Sequence, residues 1–452
     1  MGSTPDVIVV GGGLAGLVAA RHLAGGGVDV TLYERRETVG GRVRTVERDG
    51  YRFDRGFQVL FTAYPAVRRE LDLEALSLRR FTPGATLAGP DGRTTLADPL
   101  REPGTIPATL SNPSVSVGDA VRVARLWWEL RRTDPDTIFD DASETSIGMS
   151  LRDRGFSDRF VEGFVAPFYG GITLDRSLST SSHVFEYTFR ALAAGDIAVP
   201  AGGMGSIPAQ IANRVRDLGG TIETDVTVES VSAAVDDTNG VDARESAGAV
   251  TLDIGDRTPE ADAVVVATDP PTARELTAVS SIPTDARSCI TQYYALPADT
   301  DLATGRRLLL NATDAGPNHV VPHSAVAPEY APDGATLISA TYLCEQRETP
   351  GTTKHSGGEW DQTDASLAER TRSTLESWYP NRQFDGIEPL HTERIPFAQF
   401  EQPPGFRDRL PDGRDPAGSV YLAGDYTRWS SIQGAMESGR RAAKSVIDDL
   451  SR

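Results

Sequence analysis

A short apolar run followed at once by a glycine-rich turn opens this chain, and no other feature constrains its fold as strongly. After its first residue, the run at residues 6–10 is entirely valine and isoleucine, which is typical of a strand buried on both faces. The turn Gly11-Gly-Gly-Leu-Ala-Gly16 follows, and apolar residues then recur at helical spacing. Three glycines at 25–27 end that helix, and residues 28–33 predict the next strand. The sequence therefore begins with a predicted βαβ unit.

Gly11, Gly13 and Gly16 form the pattern G-x-G-x-x-G where the first strand meets the helix. In such a unit the first glycine permits a tight turn, the second lets the backbone approach a pyrophosphate, and the third lets helix and strand pack closely. The free N–H groups of the helix N-terminus then bind the pyrophosphate. Glu34 lies 34 − 13 = 21 residues beyond Gly13, close to the separation of about 20 expected for a ribose-binding carboxylate. We therefore predict a dinucleotide site.

The residues after Glu34 distinguish FAD from NAD. The glycine pattern and Glu34 alone would fit either dinucleotide. The sequence Glu34-Arg-Arg-Glu-Thr-Val-Gly-Gly-Arg42 adds two glycines for a second close backbone approach and a guanidinium for a diphosphate. This arrangement favours FAD. The alternative is a Gly-Gly turn with a solvated arginine.

With these motifs the chain resembles the FAD-dependent amine oxidase superfamily, which includes monoamine oxidases, protoporphyrinogen oxidase and the carotenoid desaturases. Two C-terminal motifs, Tyr421-Leu-Ala-Gly-Asp425 and Ser431-Ile-Gln-Gly-Ala-Met-Glu-Ser-Gly-Arg440, extend the resemblance over nearly the whole length. It implies an oxidoreductase with FAD as cofactor. Monoamine oxidases attach FAD through a cysteine upstream of the last helix. Because this chain has no cysteine after Cys344, we expect noncovalent FAD.

The resemblance also implies which residues contact FAD. Asp425 is expected to bind the ribityl or phosphate part, and the backbone of Val226 to meet adenine. The helix that opens around Ile432 and Gln433 is expected to point its N-terminus at the flavin pyrimidine, where a reduced flavin carries negative charge. The full set of expected cofactor contacts is Gly11, Gly13, Leu14, Ala15, Gly16, Glu34, Arg36, Gly41, Arg42, Gln58, Val226, Gly424, Asp425, Ile432 and Gln433.

The chain is long enough for two domains. Further strands of α/β character are predicted over residues 219–228, 261–267 and 419–425, while alternating β-type runs at 290–295 and 307–311 predict an antiparallel sheet. The predicted fold class is α/β, with a Rossmann-type FAD-binding domain built from discontinuous segments and an α+β substrate domain. The predicted boundaries are 1–80, 200–285 and 399–452 for the FAD-binding domain, and 81–199 and 286–398 for the substrate-binding domain.

Two glycine-containing segments favour the desaturase branch of the superfamily. Pro200-Ala-Gly-Gly-Met-Gly-Ser-Ile-Pro208 resembles the glycine-rich segment of phytoene-desaturase-like proteins, and Pro167-Phe-Tyr-Gly-Gly-Ile172 sits where those enzymes line the substrate tunnel. The alternatives are a turn at a helix start and a plain loop.

Other features count against an amine substrate. Neither Lys354 nor Lys444 matches the lysine that amine oxidases place near flavin N5. Ser431 stands where one wall of their aromatic cage belongs, with Trp429 two residues earlier.

The sequence thus predicts an enzyme that accepts hydride from a small apolar substrate, most simply an isoprenoid or carotenoid precursor. An amine oxidase or protoporphyrinogen-oxidase-like enzyme is the first alternative, and a non-catalytic FAD-binding protein is the second. No catalytic side chain or metal cluster stands out. The six histidines, among them His183, His319 and His323, are assigned structural roles. The electron acceptor stays open.

Net charge is −19, from 64 acidic and 45 basic residues, and Lys354 and Lys444 are the only lysines. Such a surface repels nucleic-acid phosphates, so we expect no nucleic-acid partner. The composition is typical of halophilic, and more narrowly haloarchaeal, proteins, although an acidic protein from a GC-rich genome is the alternative. With two cysteines at no metal or disulfide spacing, and no visible signal or membrane-spanning run, we expect a cytoplasmic protein.

Residues 117–132 predict a helix that carries four arginines beside Trp127 and Trp128. Such a helix can lie on a membrane interface. It can equally pack its tryptophans into the substrate domain and solvate its arginines. A peripheral membrane contact is therefore one expectation and a packed helix the other.

Overall fold

The computed structural model describes residues 4–96, 115–141, 143–233, 249–297, 300, 302–313, 316–344, 360–385 and 387–452. Lys354 lies outside this part of the chain. The helices within it are, in chain order, α1 (Leu14–Gly25), α2 (Pro65–Glu70), α3 (Val117–Leu130), α4 (Ile147–Asp153), α5 (Asp158–Phe160), α6 (Ala166–Thr173), α7 (Ser182–Ala194), α8 (Ser206–Asp217), α9 (Pro270–Thr277), α10 (His323–Val326), α11 (Asp364–Trp378) and α12 (Ile432–Leu450).

The strands are short at the N-terminus and longest in the second half of the chain. In chain order they are β1 (Asp6–Val10), β2 (Asp29–Tyr33), β3 (Thr45–Arg48), β4 (Tyr51–Asp54), β5 (Leu60–Phe61), β6 (Leu78–Arg80), β7 (Ala85–Gly89), β8 (Gly92–Leu96), β9 (Ile197–Pro200), β10 (Thr221–Glu223), β11 (Ser230–Ala233), β12 (Val250–Asp253), β13 (Glu260–Ala261), β14 (Ala263–Val266), β15 (Ala286–Leu296), β16 (Leu308–Asn311), β17 (His319–Val321), β18 (Thr336–Cys344), β19 (Glu388–Phe400) and β20 (Val420–Leu422).

A parallel sheet in the order β10-β2-β1-β14-β20 contains the N-terminal βαβ unit. Residues 7–10 and 263–266, in the two strands nearest its centre, are all buried. Such apolar, β-branched strands suit a sheet covered on both faces. Strands from three distant parts of the chain meet here, and the α/β fold class is confirmed. The exact domain boundaries stay a prediction.

The strand expected over residues 219–228 is shorter than predicted, because only Thr221–Glu223 pairs with β2. Asp225 then takes a positive φ of 60°, and the chain turns across the end of β2. There the N–H of Val226 donates to the carbonyl oxygen of Glu34 at 3.0 Å.

Helices α1 and α12 pack against each other at a separation that only glycine allows. A Cβ atom on Gly439 of α12 would lie 2.1 Å from the carbonyl oxygen of Ala15 in α1. Because α1 follows β1 and α12 follows β20, both helices have their N-termini at the carboxyl ends of the parallel strands.

The second large sheet has the order β19-β15-β18-β17-β16-β7-β8. Its neighbouring strands are antiparallel, as predicted, except that β16 and β7 run parallel. The β7–β8 hairpin comes from far earlier in the chain than β16, so no local sequence pattern could reveal that pairing. The sheet is therefore mixed at one position.

Side chains alternate between the two faces of this sheet, as strand geometry requires. On one face Val320 and Ala340 belong to the same buried cluster as Leu375 of α11. On the opposite face their neighbours His319 and Thr341 line a cavity. The register of β17 and β18 therefore decides which side chains reach the cavity.

Smaller sheets, β3-β4, β5-β9-β6 and β11-β12-β13, complete the fold. The predicted helix at 117–132 is α3, which begins with a capping box: Ser116 and Asp119 each accept from the other's backbone N–H. Residues 167–172, expected either at a tunnel wall or in a loop, are helical and lie in α6. Within the described ranges, no helix is long and apolar enough to cross a membrane.

Candidate functional site

One cavity of about 680 Å³ lies at the carboxyl ends of β1, β2, β14 and β20. Val10, Tyr33 and Ala267 mark strand ends in its wall, and His319 and Thr341 of the seven-stranded sheet stand in another wall. Open α/β sheets bind their ligands at this edge. Both large sheets therefore contribute to one site.

The structure brings most of the expected cofactor contacts together at this cavity, although they are spread over the whole chain. Gly16 and Gln433 are not part of its wall, and the individual contacts with FAD stay a prediction. The thirteen that line it are Gly11, Gly13, Leu14, Ala15, Glu34, Arg36, Gly41, Arg42, Gln58, Val226, Gly424, Asp425 and Ile432.

The glycine turn has the geometry that its sequence predicts. Gly11 takes a positive φ of 107°, and a Cβ there would lie 2.8 Å from the carbonyl oxygen of Ala267. A Cβ on Gly13 would meet no atom within 4 Å, so the backbone ahead of α1 is open to a ligand. A Cβ on Gly16 would lie 2.0 Å from the carbonyl oxygen of Gly11. Gly16 is therefore a packing residue, which explains its absence from the cavity wall.

The carboxylate of Glu34, just after β2, is held by the backbone. Glu34 is 4% exposed, and the N–H groups of Gly12 and Arg36 donate to its two oxygens at 2.8 and 3.0 Å. Each carboxylate oxygen has a second lone pair, so both can still accept from ribose hydroxyls. The guanidinium of Arg36 lies 3.9 Å away.

Arg42 and Asp425 join the N-terminal and C-terminal motifs at one point of the wall. Arg42 Nη2 lies 2.7 Å from Asp425 Oδ1, and the same guanidinium donates to the carbonyl oxygen of Ala398 at 3.0 Å. Ser430 Oγ donates to the other oxygen of Asp425 at 2.9 Å, and Gln58 donates to the carbonyl oxygen of Arg42 at 2.8 Å. The network presents a guanidinium for phosphate and a carboxylate for hydroxyl groups.

Helix α12 points its first turn at the cavity. Ser431 caps the helix, because its Oγ accepts from the N–H of Gly434 at 2.8 Å, and Ile432 lines the wall. The N–H groups of a first helical turn lack carbonyl partners within the helix, and the helix dipole favours negative charge there. The side chain of Gln433 accepts instead from the N–H of Ala66 at 2.9 Å. Gln433 is therefore expected to contact a ligand in the cavity through its backbone and not through its side chain.

Apolar side chains form much of the remaining wall, and sequence reasoning found few of them. Two belong to residues 167–172, which the sequence had associated with a tunnel. The residues on strands gave no signal in the sequence, because register alone decides which of them face inward. The full set of apolar side chains in this part of the wall is Phe57, Phe61, Tyr64, Phe168, Ile172, Val184, Leu308, Leu310, Ile395, Phe397 and Trp429.

The other segment that the sequence singled out, residues 200–208, leads into α8 and is not part of this wall. The N–H of Met204 donates to the carboxylate of Asp54 at 2.9 Å. The structure therefore supports the interpretation of a turn at a helix start.

Few titratable side chains belong to the apolar part of the wall. Burial raises the pKa of the Cys289 thiol to about 12 and lowers the pKa of His319 to about 4, so both are neutral near pH 7. Lys444 is exposed on α12 and is not part of the wall. Among the described residues no cluster of three histidine, cysteine, aspartate or glutamate side chains could hold a metal ion.

Comparison with known proteins agrees with this geometry. The family described as "Flavin containing amine oxidoreductase" matches residues 14–447. The chain belongs to this family and is an FAD-dependent oxidoreductase.

Individual relatives are similar over different extents. A stretch of 54 residues is 56% identical to the carotenoid 3,4-desaturase of Haloarcula japonica, but it covers 12% of this chain and 11% of that protein. An oxidoreductase from Methanosarcina mazei has a TM-score of 0.71 at 18% identity, over 97% of this chain and 100% of its own. Cyclohexylamine oxidase from Brevibacterium oxydans has a TM-score of 0.65 at 18% identity, over 99% and 100%. These two structures share the fold.

The residues at the cavity fit FAD. A glycine turn leaves the backbone open ahead of α1, a buried carboxylate follows β2, and Arg42 and Asp425 stand beside the first turn of α12. These are the groups that a pyrophosphate, a ribose and a flavin ring require. We expect Glu34, Arg42 and Asp425 to be the charged side chains that hold it.

Proposed function

We propose that this enzyme desaturates a long apolar substrate of the isoprenoid or carotenoid class. The observation that carries the proposal is the apolar wall, with Phe57, Phe168 and Phe397 among its side chains. Burying apolar surface contributes about 25 cal/mol per Å², so a hydrocarbon chain binds such a wall without charged partners. The similarity to a carotenoid 3,4-desaturase supports the same substrate class.

Desaturation removes a hydride and a proton from adjacent carbons, and bound FAD would supply the two-electron oxidation by taking up both as FADH2. The chain's own contribution is to hold the reactants and exclude water. Glu34, Arg42 and Asp425 fix the cofactor, while the apolar wall orients the substrate. Such positioning supplies much of the rate enhancement where no acid–base residue is required.

An amine oxidase is the second candidate, and one feature of the cavity bears on it. Tyr64 and Trp429 both line the wall, and aromatic faces attract an ammonium group. Their rings pack edge to face, with centroids 6.1 Å apart and planes at 90°. Rings in edge contact leave no room for a ligand between their faces, so this pair does not sandwich an amine.

A turnover assay tests the desaturase proposal. Holoenzyme mixed with liposomes that contain a polyene precursor is expected to yield a product with longer-wavelength absorption, because each added double bond extends the conjugation. Ile172→Glu, which places a charge in the apolar wall, is expected to abolish turnover but retain FAD. Met149→Glu is the control, since Met149 is 56% exposed and is not part of the wall. Oxidation of an amine or a porphyrinogen with no isoprenoid product would overturn the proposal.

We also propose that this enzyme is cytoplasmic and docks on an anionic membrane surface through α3. Val117, Val121 and Trp128 share one face of this helix and are 71%, 63% and 57% exposed. A membrane interface buries such a face. A substrate dissolved in lipid makes this contact useful.

The charge of α3 favours anionic lipid. Four arginines lie at residues 122, 125, 131 and 132, in a protein whose net charge is −19. The acidic residues of the helix are engaged, because Asp119 is buried in the capping box and Glu129 lies 3.2 Å from Arg154. The guanidinium of Arg132 lies 3.7 Å from the ring centroid of Trp128, which keeps positive charge at the exposed apolar face.

Vesicle co-sedimentation tests the docking surface. The protein is expected to bind phosphatidylglycerol vesicles more tightly than phosphatidylcholine vesicles, and Trp128→Ser is expected to weaken that binding severalfold. Met149→Ser removes a similarly exposed apolar side chain elsewhere and should change nothing. Equal losses in the two variants would contradict the assignment of α3.

A further inference from the structure

His319 is a polar residue in the apolar part of the cavity wall. It is 3% exposed and lies on β17, where its cross-strand neighbours are Leu310 and Thr341, which also line the cavity. The ring of Phe57 stands edge-on to its imidazole, with centroids 5.1 Å apart. The Cα of Gly171 in α6 also lies against the imidazole, because a Cβ there would be 3.1 Å from Nδ1.

The hydrogen bonds of Asn318 fix which nitrogen of His319 carries the proton. Asn318 Nδ2 donates to the carbonyl oxygen of Pro167 at 3.1 Å, and its Oδ1 accepts from Arg176 at 3.3 Å, so the amide has one orientation. The same Nδ2 lies 3.0 Å from Nδ1 of His319. Nδ1 therefore accepts, and the proton of the neutral ring is on Nε2.

The Nε2 atom of His319 is buried and has no hydrogen-bond partner among the described residues. The nearby hydroxyl of Thr341 is engaged with Thr291, 3.1 Å away. Burial lowers the pKa of His319 to about 4, so the imidazole stays neutral near pH 7. Buried donors in native proteins are almost always paired, which points to a partner supplied by a ligand.

We propose that the Nε2–H of His319 donates a hydrogen bond to a neutral oxygen of the substrate, so that the preferred substrate is an oxygenated isoprenoid rather than a hydrocarbon. This rests on the proposed function and narrows its substrate class. A hydroxyl or carbonyl group beside His319 would satisfy a donor that a hydrocarbon leaves unpaired. A carboxylate is disfavoured, because the neutral imidazole offers it no countercharge.

Binding of two polyenes of equal length, one a hydrocarbon and one with a hydroxyl group, tests the proposal. Quenching of tryptophan fluorescence in the holoenzyme gives each Kd, since Trp429 lines the same cavity. Wild type is expected to bind the hydroxylated polyene roughly tenfold more tightly, as one buried hydrogen bond implies. His319→Phe is expected to lose this preference with the Kd of the hydrocarbon unchanged, and His319→Gln, which retains a donor, to keep part of it.

Two outcomes would overturn the proposal. The first is equal binding of the two polyenes by wild type, as expected if a water satisfies the donor. The second is a preference that persists in His319→Phe. If the flavin absorption and reduction potential of that variant also shift without any ligand, the donor serves the cofactor. If hydrocarbon and hydroxylated polyenes bind equally but are both oxidised, this inference fails and the proposed function stands.

Discussion

In the cavity wall, Arg42 forms an ion pair with the buried carboxylate of Asp425. The carboxylate of Glu34 accepts hydrogen bonds from two backbone N–H groups. Removing either side chain would remove the charge-assisted contact to FAD that the sequence predicts, worth on the order of 1.5–3 kcal/mol. We therefore expect Arg42→Ala and Glu34→Ala each to raise the Kd for FAD by roughly 10- to 150-fold. Titration of the apoprotein with FAD, followed by flavin fluorescence, measures the change.

The matched control for this prediction is Arg80→Ala. Arg80 also pairs with a carboxylate, that of Asp196, but its side chain is 61% exposed and is not part of the cavity wall. Exposed ion pairs contribute about 0–1 kcal/mol, so FAD binding should be unchanged. Equal Kd values for wild type and Arg42→Ala would remove Arg42 from the cofactor site.

Cys289 lines the cavity, and the state of its thiol bears on how FAD is retained. Only the thiolate is nucleophilic, and burial raises the pKa of Cys289 to about 12. We expect acid precipitation to release all of the flavin as free FAD from a colourless pellet. Yellow colour that stays with the denatured protein would indicate a covalent bond.

Among single residues, the sequence identified those near the glycine turn and α12 in the cavity wall far better than the apolar ones. Glu34 is found by its spacing from the glycine pattern, and Asp425 by the resemblance of the motif at residues 421–425 to the superfamily. His319 was assigned a structural role, since nothing local distinguishes it from Val320, which faces α11. Its position depends on pairing with β16 and β18, which a sequence pattern does not encode.

At the scale of elements, the contact between α1 and α12 fixes how the N-termini of these two helices are placed at the cavity. An exposed helical glycine replaced by alanine gains up to about 1 kcal/mol in helix propensity. A Cβ on Gly439 would instead lie 2.1 Å from the carbonyl oxygen of Ala15. We expect Gly439→Ala to lower the free energy of unfolding by about 1–3 kcal/mol, as overpacking does, and to reduce FAD occupancy.

Denaturant unfolding and the flavin-to-protein absorbance ratio measure the two effects. Lys444→Ala, on an exposed position of the same helix, is the control and should leave both unchanged. A Gly439→Ala protein as stable as the control would mean that the two helices can separate without cost.

Elements were predictable where the signal is local. The βαβ unit follows from periodicity and glycine spacing, and the last helix from the motif that opens it, because each is a continuous stretch of chain. The parallel contact of β7 with β16 and the early end of β10 were missed. Both features depend on which distant segment supplies the hydrogen bonds. The end of β10 also depends on Asp225, where the chain turns across β2.

For the whole molecule, the dominant feature is its negative charge. A net charge of −19 crowds carboxylates on the surface, and self-repulsion destabilises the compact state. The Debye length falls from roughly 30 Å at 0.01 M salt to 3 Å at 1 M, so molar salt screens this repulsion. We expect the melting temperature, and FAD occupancy with it, to rise steeply from 0.05 to 2 M KCl.

A thermal-shift series in KCl is the measurement, repeated on the apoprotein to separate stability from cofactor retention. Salt also weakens exposed ion pairs, but each contributes little, and acidic residues outnumber basic ones by 64 to 45. A flat curve would refute the halophilic interpretation and leave the flavin assignment untouched.

The central claim is that this FAD enzyme takes hydride from an apolar isoprenoid, and anaerobic flavin bleaching tests it most directly. Holoenzyme without oxygen is mixed in turn with a long-chain polyene precursor in liposomes, with small primary amines and with a porphyrinogen, and the flavin absorption is followed. We predict loss of the oxidised flavin spectrum with the polyene precursor and no change with the amines. Rapid bleaching by a simple amine, with no response to any isoprenoid, would contradict the account.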